Sequence, residues 1–141
     1  MGKRHALASP FDAFPAGISV PRLAISASGK GAAGFKAGSL LNDRHRTFWT
    51  LTLWADEASM RAFMTSGAHR IVMPKLFDWC DEASIVHWEA AGDSLPSWAE
   101  AARRMRDEGR PSRVRRPSPH HADMAFAEPR LTQGTPIRPS W

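Results

Sequence analysis

The sequence predicts an α+β domain, and three observations carry that expectation. Two apolar runs flank a polar turn over residues 35–54; an apolar helical stripe starts after Asp56; and a strand at 84–89 precedes a helix punctuated at both ends over 97–109. With 141 residues, 43% of them hydrophobic, the chain has enough material for one core and one tail. A single cysteine, Cys80, excludes an intramolecular disulfide framework and any multi-cysteine zinc or iron–sulfur site, and fits a reducing, cytoplasmic setting. The absence of tyrosine excludes every mechanism that needs a tyrosyl acid, base or radical.

In chain order, the stretch MGKRHALASPFDAFPAG is too interrupted by Pro10, Asp12 and Pro15 for a signal peptide, and residues 1–17 are expected to be disordered. Ala6 breaks the myristoylation pattern at Gly2, and no apolar run approaches a membrane span. Residues 18–33 suit a strand or, with Pro21 in a first turn, a short helix; the helix is preferred. FKAGSLL and TFWTLTLW then form a hairpin around the charged turn Asp43-Arg44-His45-Arg46, whose expected role is solvation, with anion binding as the alternative. In the second strand Trp49, Leu51 and Leu53 share one face, and Thr50, Thr52 and Trp54 share the other.

Asp56 is the expected N-cap of a helix whose Met60, Phe63 and Met64 fall on one stripe, ended by Gly67. A second helical stretch, broken at Pro74, leads into SIVHWE, where Ile85 and His87 share a face opposite Val86 and Trp88. Ser97 and Glu100 have capping-box spacing, and Gly109 supplies the stop. Beyond it lie six of the eleven prolines and almost no periodicity, which predicts a largely extended, disordered tail.

Charge divides along the same boundary. Residues 110–141 hold six Arg against Asp123 and Glu128, a net +4, whereas residues 1–109 hold thirteen basic against twelve acidic side chains, a net +1. The formal charge of +5 therefore belongs mainly to the tail, where Arg113, Arg115 and Arg116 could meet nucleic acid or an acidic partner. His120-His121 makes a poor metal site, since adjacent residues of an extended chain point apart. Dinucleotide, P-loop, nucleophile-elbow and HExxH signatures are absent from the sequence.

The block TFWTLTLWADEASMRAFMTSGAHRIVMPKLFDWCDEASIVHW resembles a bacterial family related to spheroidene monooxygenase and the antibiotic-biosynthesis monooxygenases. The resemblance rests on the strand ending in Trp54, the helix carrying Phe63, the Gly67-Ala68-His69-Arg70 segment and Met73-Pro74, and covers about residues 35–108. It implies a ferredoxin-like dimeric α/β barrel over residues 18–109, in which the sheets of two copies pack face to face around pockets. The helices would cover Leu51 and Leu53, leaving Thr50, Thr52 and Trp54 to line the opposite face. The family's first strand would have to be GISVPRLAIS, containing Pro21, and is therefore expected to be missing or degenerate.

The resemblance further implies a monooxygenase-like protein that binds a hydrophobic polycyclic or isoprenoid substrate and needs no cofactor. His69 would be the catalytic proton acceptor, with Thr50, Thr52, Trp54, Phe63 and His87 lining the substrate site. The bland alternative for His69 is a helix-junction brace, and for Trp54, Trp79 and Trp88 it is core packing. Heme with His69 as axial ligand is a further alternative; related heme-degrading barrels place their ligand where this chain has Met73. In contrast to all of these stands a dimeric binding or assembly module that keeps the fold without chemistry. Lacking tyrosine, the body would rely on His69 and His87 for acid–base work.

Overall fold

The computed structural model describes residues 4–12, 32–42, 48–65, 70–71, 74–75, 78, 80, 82–115, 117–119, 121 and 135–138. Its strands are β1 (Arg4–Asp12), β2 (Phe35–Asn42), β3 (Phe48–Trp54), β4 (Glu82–Ala90), β5 (Arg110–Pro111) and β6 (Thr135–Ile137). Its helices are α1 (Glu57–Met64) and α2 (Trp98–Glu108). The strands form one antiparallel sheet in the order β5-β4-β1-β3-β2-β6, whose inner four have the ferredoxin-like arrangement.

The first strand corrects the sequence-based expectation. It is neither missing nor placed at GISVPRLAIS: Arg4–Asp12, within the segment expected to be disordered, runs through the middle of the sheet between β4 and β3. Its alanines explain both why it was hard to recognise and why it works there. Ala6 and Ala8 are fully buried, and small side chains let the packed layer above approach the sheet closely. Pro10 is tolerated because the ladder to β4 lapses at Ser9 and Pro10 while pairing to β3 continues through Pro10↔Trp49. The preferred helix within 18–33, the turn at 43–46, Trp79 and His69 lie wholly or mostly outside the described residues.

The hairpin and the alternation in β3 agree with expectation. On one face Ala6, Ala8, Leu41, Trp49, Leu51, Leu53, Val86 and Trp88 pack beneath Trp98, Ala101 and Met105 of α2. On the other, Leu7, Phe35 and Trp54 pack with Met60 and Phe63 of α1. The helices thus cover both faces, not only the Leu51–Leu53 face. The Thr52–Trp54 face is itself a core layer, because α1 follows β3 after a two-residue turn and folds back onto the strand's last side chain. A bulge between Phe35 and Ala37 keeps Phe35 beside Trp54 on that face.

Both helix starts follow their caps. Asp56 accepts from the Ser59 backbone N–H at 2.7 Å, and Ser97 Oγ accepts from Glu100 N–H at 3.1 Å. Helix α1 stops at Met64, before the expected Gly67, where Thr65 returns its N–H to Arg61 O at 3.1 Å. The Asp56 carboxyl is held below the ordinary carboxylate range, first by the Ser59 backbone hydrogen bond, then by the Ser59 hydroxyl and the charges of His5 and Arg4. Because this pKa is lowered in the folded chain, the cap's contribution is complete above the ordinary Asp value of 3.8 and fades as pH falls through the lower folded value. Accordingly, the melting temperature of Asp56→Ala should lie below that of the parent at neutral pH, and the gap should shrink as acid is added below that value. A gap unchanged by acid would remove the carboxylate from the cap.

Among the described residues of the tail are two short strands. β5 adds to β4 through Ser84↔Pro111 and Ile85↔Arg110, and β6 adds to the opposite edge on β2. His121, only 9% exposed, pins the segment: its Nδ1 accepts from Ala83 N–H at 3.4 Å, and its Nε2 lies 2.7 Å from Ser112 O, to which it donates. Proline-rich sequence without periodicity can still supply short edge strands when the sheet provides the template.

Candidate functional site

Four of the expected site residues sit on the described part of one sheet face and its helix. Thr50, Thr52, Trp54 and Phe63 are all buried, at 8%, 4%, 0% and 5% exposure. Trp54 is enclosed by aromatics: the Phe63 ring centroid is 4.8 Å away in a tilted stack, and Phe35 meets it edge-on at 5.4 Å. The indole N–H donates to Thr52 Oγ1 at 2.9 Å, and that hydroxyl lies 3.5 Å from Leu7 O. The polar atoms of Thr52 and Trp54 are therefore satisfied within the protein, while no hydrogen bond engages the Thr50 hydroxyl among the described residues.

His87 is not gathered into this cluster. It shares the face, opposite Leu7 in the register, but is exposed on β4. The alternation of β4 places it there: Val86 and Trp88 are taken by the core beneath α2, which leaves Ile85 and His87 outward on the opposite face. His69, the expected proton acceptor, lies outside the described residues.

The structure adds an imidazole that sequence reasoning missed. His5 stands between Trp54 of β3 and Glu89 of β4 in the register, and its Nδ1 is sealed from solvent with no hydrogen-bond partner among the described residues. The available signal was the alternation of His5 and Leu7 against Ala6 and Ala8, concealed by the proline two residues later. Glu57, at the start of α1, senses both imidazoles. Its carboxyl is held below the ordinary range chiefly by the Arg61 side chain, 2.8 Å away, with smaller contributions from His5 and His87. The site is thus an aromatic and aliphatic layer with one uncommitted hydroxyl, rimmed by two imidazoles and a carboxylate.

Cys80 is buried, as expected of an inert thiol. Among the described residues no group of three His, Cys, Asp or Glu side chains is arranged to hold a metal ion. No described helix is long and apolar enough to cross a membrane.

This sheet order and helix placement define a ferredoxin-like α+β fold, which structural comparison finds in several solved proteins. SnoaB, a cofactor-independent oxygenase from Streptomyces nogalater, is similar with a TM-score of 0.54 at 18% identity, over 67% of this chain and 99% of that one. A candidate antibiotic biosynthesis monooxygenase from Nitrosomonas europaea is similar with a TM-score of 0.54 at 12% identity, over 64% and 92%. NE2512, a protein of unknown function from the same organism, is similar with a TM-score of 0.54 at 19% identity, over 67% and 96%. The chain belongs to the DUF3291 family, a domain of unknown function whose profile matches residues 23–111. That match begins after β1, although β1 is central to the sheet. No curated protein matches the sequence.

Proposed function

We propose that this chain binds a small hydrophobic molecule on the Thr50–Trp54 face and oxygenates it without a resident cofactor. The observation that carries the reading is the Thr50 side chain, 8% exposed on the same sheet face as the satisfied Thr52–Trp54 pair, with no hydrogen bond to its hydroxyl among the described residues. A polycyclic substrate with an activated methylene would supply its own electrons. It loses a proton to an imidazole, the carbanion reduces O2, one oxygen becomes a carbonyl and the other leaves as water. His5 is the described imidazole nearest in register to Trp54, and His69 is the acceptor that the family resemblance implies. The fold likeness to a cofactor-independent oxygenase supports the chemistry; an isoprenoid, the substrate class that the spheroidene monooxygenase resemblance implies, would need an equally acidic C–H for the same step.

The complete burial of Trp54 favours a second reading, a binding or assembly module in which this layer is only core. Mass spectrometry of small molecules that co-purify with the protein, followed by oxygen uptake with each compound found, separates the two. Turnover predicts a product gaining one oxygen and losing two hydrogens, abolished by His5→Ala or His69→Ala. Binding without oxygen uptake establishes the module, and a Soret band after heme addition would replace the cofactor-free scheme. Dimerisation belongs to the same proposal and rests on the resemblance; light scattering should then report twice the 15.6 kDa chain mass.

A further inference from the structure

We propose a separate subsite for a small hydroxy- or amino-carboxylate at the outer edge of β4, in the cleft of about 100 Å³ lined by Ile85, Val86, His87, Glu108 and Arg110. The cleft exists because β5 is only two residues long and pairs with β4 at Ser84 and Ile85 alone. Ser112 N–H donates to Ala83 O at 2.8 Å, so by the alternation of an antiparallel ladder residues 83, 85 and 87 turn their backbone groups toward the outer edge. His87 is the first of these beyond the end of β5, and its backbone N–H and C=O have no strand partner among the described residues.

Three kinds of donor belong to the residues that line it: the His87 backbone N–H, its imidazole, and the Arg110 guanidinium. Arg110 is exposed and has no ion pair among the described residues, unlike Arg104, which binds Glu108 at 3.1 Å, and Arg115, which binds Asp78 at 2.9 Å. A planar carboxylate matches a guanidinium flanked by an N–H donor. Glu108 gives only Oε2 to Arg104, so its second oxygen remains to accept from a hydroxyl or ammonium on the ligand. The cleft is small and open on one side, so it suits a carboxylate with its neighbouring substituent, and the rest of the ligand would lie outside. Apart from His87, which also edges the Thr50–Trp54 face, its polar groups Glu108 and Arg110 take no part in the oxygenase reading.

The test uses the full chain with acetate, glycolate, glycine and inorganic phosphate as probes, following the His87 ring and Arg110 side-chain resonances by NMR. Glycolate or glycine should give saturable shifts and bind more tightly than acetate. Arg110→Gln should weaken the binding on the order of tenfold, whereas Arg113→Gln should leave it unchanged. Glu108→Gln should reduce the advantage of glycine over acetate, a readout that loss of folding would not mimic, since acetate binding persists. Absence of saturation, equal binding by Arg110→Gln with native amide spectra, or tightest binding to phosphate would overturn the proposal.

Discussion

Replacing Trp54 by alanine should destabilise the chain by about 3–5 kcal/mol, the range for emptying a fully buried aromatic site. The side chain has no solvent exposure and holds together Phe35, Phe63 and the Thr52 hydroxyl. Its removal leaves a void between β3 and α1 that a short helix tethered by a two-residue turn cannot collapse to fill. Trp54→Phe keeps most of the ring contact and loses the N–H donor, and should cost about 1–2 kcal/mol. Urea unfolding midpoints measure both. A Trp54→Ala loss under about 1 kcal/mol would mean that the layer is loosely packed, which would also strengthen the case for a ligand pocket there.

Gly34→Ala should cost about 2–4 kcal/mol for two reasons that act together. Gly34 has φ of +81°, a conformation in which any other residue is strained, and a Cβ added there would lie 2.3 Å from Ser59 Oγ and 2.5 Å from Ser59 Cβ. The close approach is built in: Gly34 O accepts from Ala55 N–H at 2.7 Å, drawing the start of β2 onto the turn that launches α1. The double variant Gly34→Ala with Ser59→Gly removes the collision but not the backbone strain. It should recover part of the loss, after correction for the helix cost of Ser59→Gly measured alone. No recovery in that cycle would assign the whole effect to φ.

How much of this was legible beforehand depended on the range of the interaction. Thr50, Thr52 and Trp54 share a face because β-strand side chains alternate, and Asp56 and Ser97 cap helices because their oxygens reach the N–H three residues on. Those relations are local, and the sequence displays them. What covers each face is not local. The ends of helix α2 could be read from Ser97, Glu100 and Gly109, but that it lies over Leu51 and Leu53 while α1 closes over Trp54 depends on contacts between distant segments.

The centre of the sheet shows the same division. Arg4–Asp12 has little strand signal of its own, since Ala6 and Ala8 add little apolar mass and Pro10 argues against an interior strand; only pairing with β3 and β4 on both sides makes it one. His5 therefore entered the site without having been a candidate, and His87, placed correctly on its face, emerged at the exposed edge instead of in the layer. The tail follows as well: its basic charge was plain from composition, whereas the use of Arg110 in a strand and of His121 as a buried pin was not. By itself the sequence determined the domain class, the hairpin, the caps and the alternation, because each arises within a few residues. Only the tertiary structure decided which strand is central, which helix covers which face and which imidazoles meet the site, because those outcomes follow from burial and pairing between segments far apart in the chain.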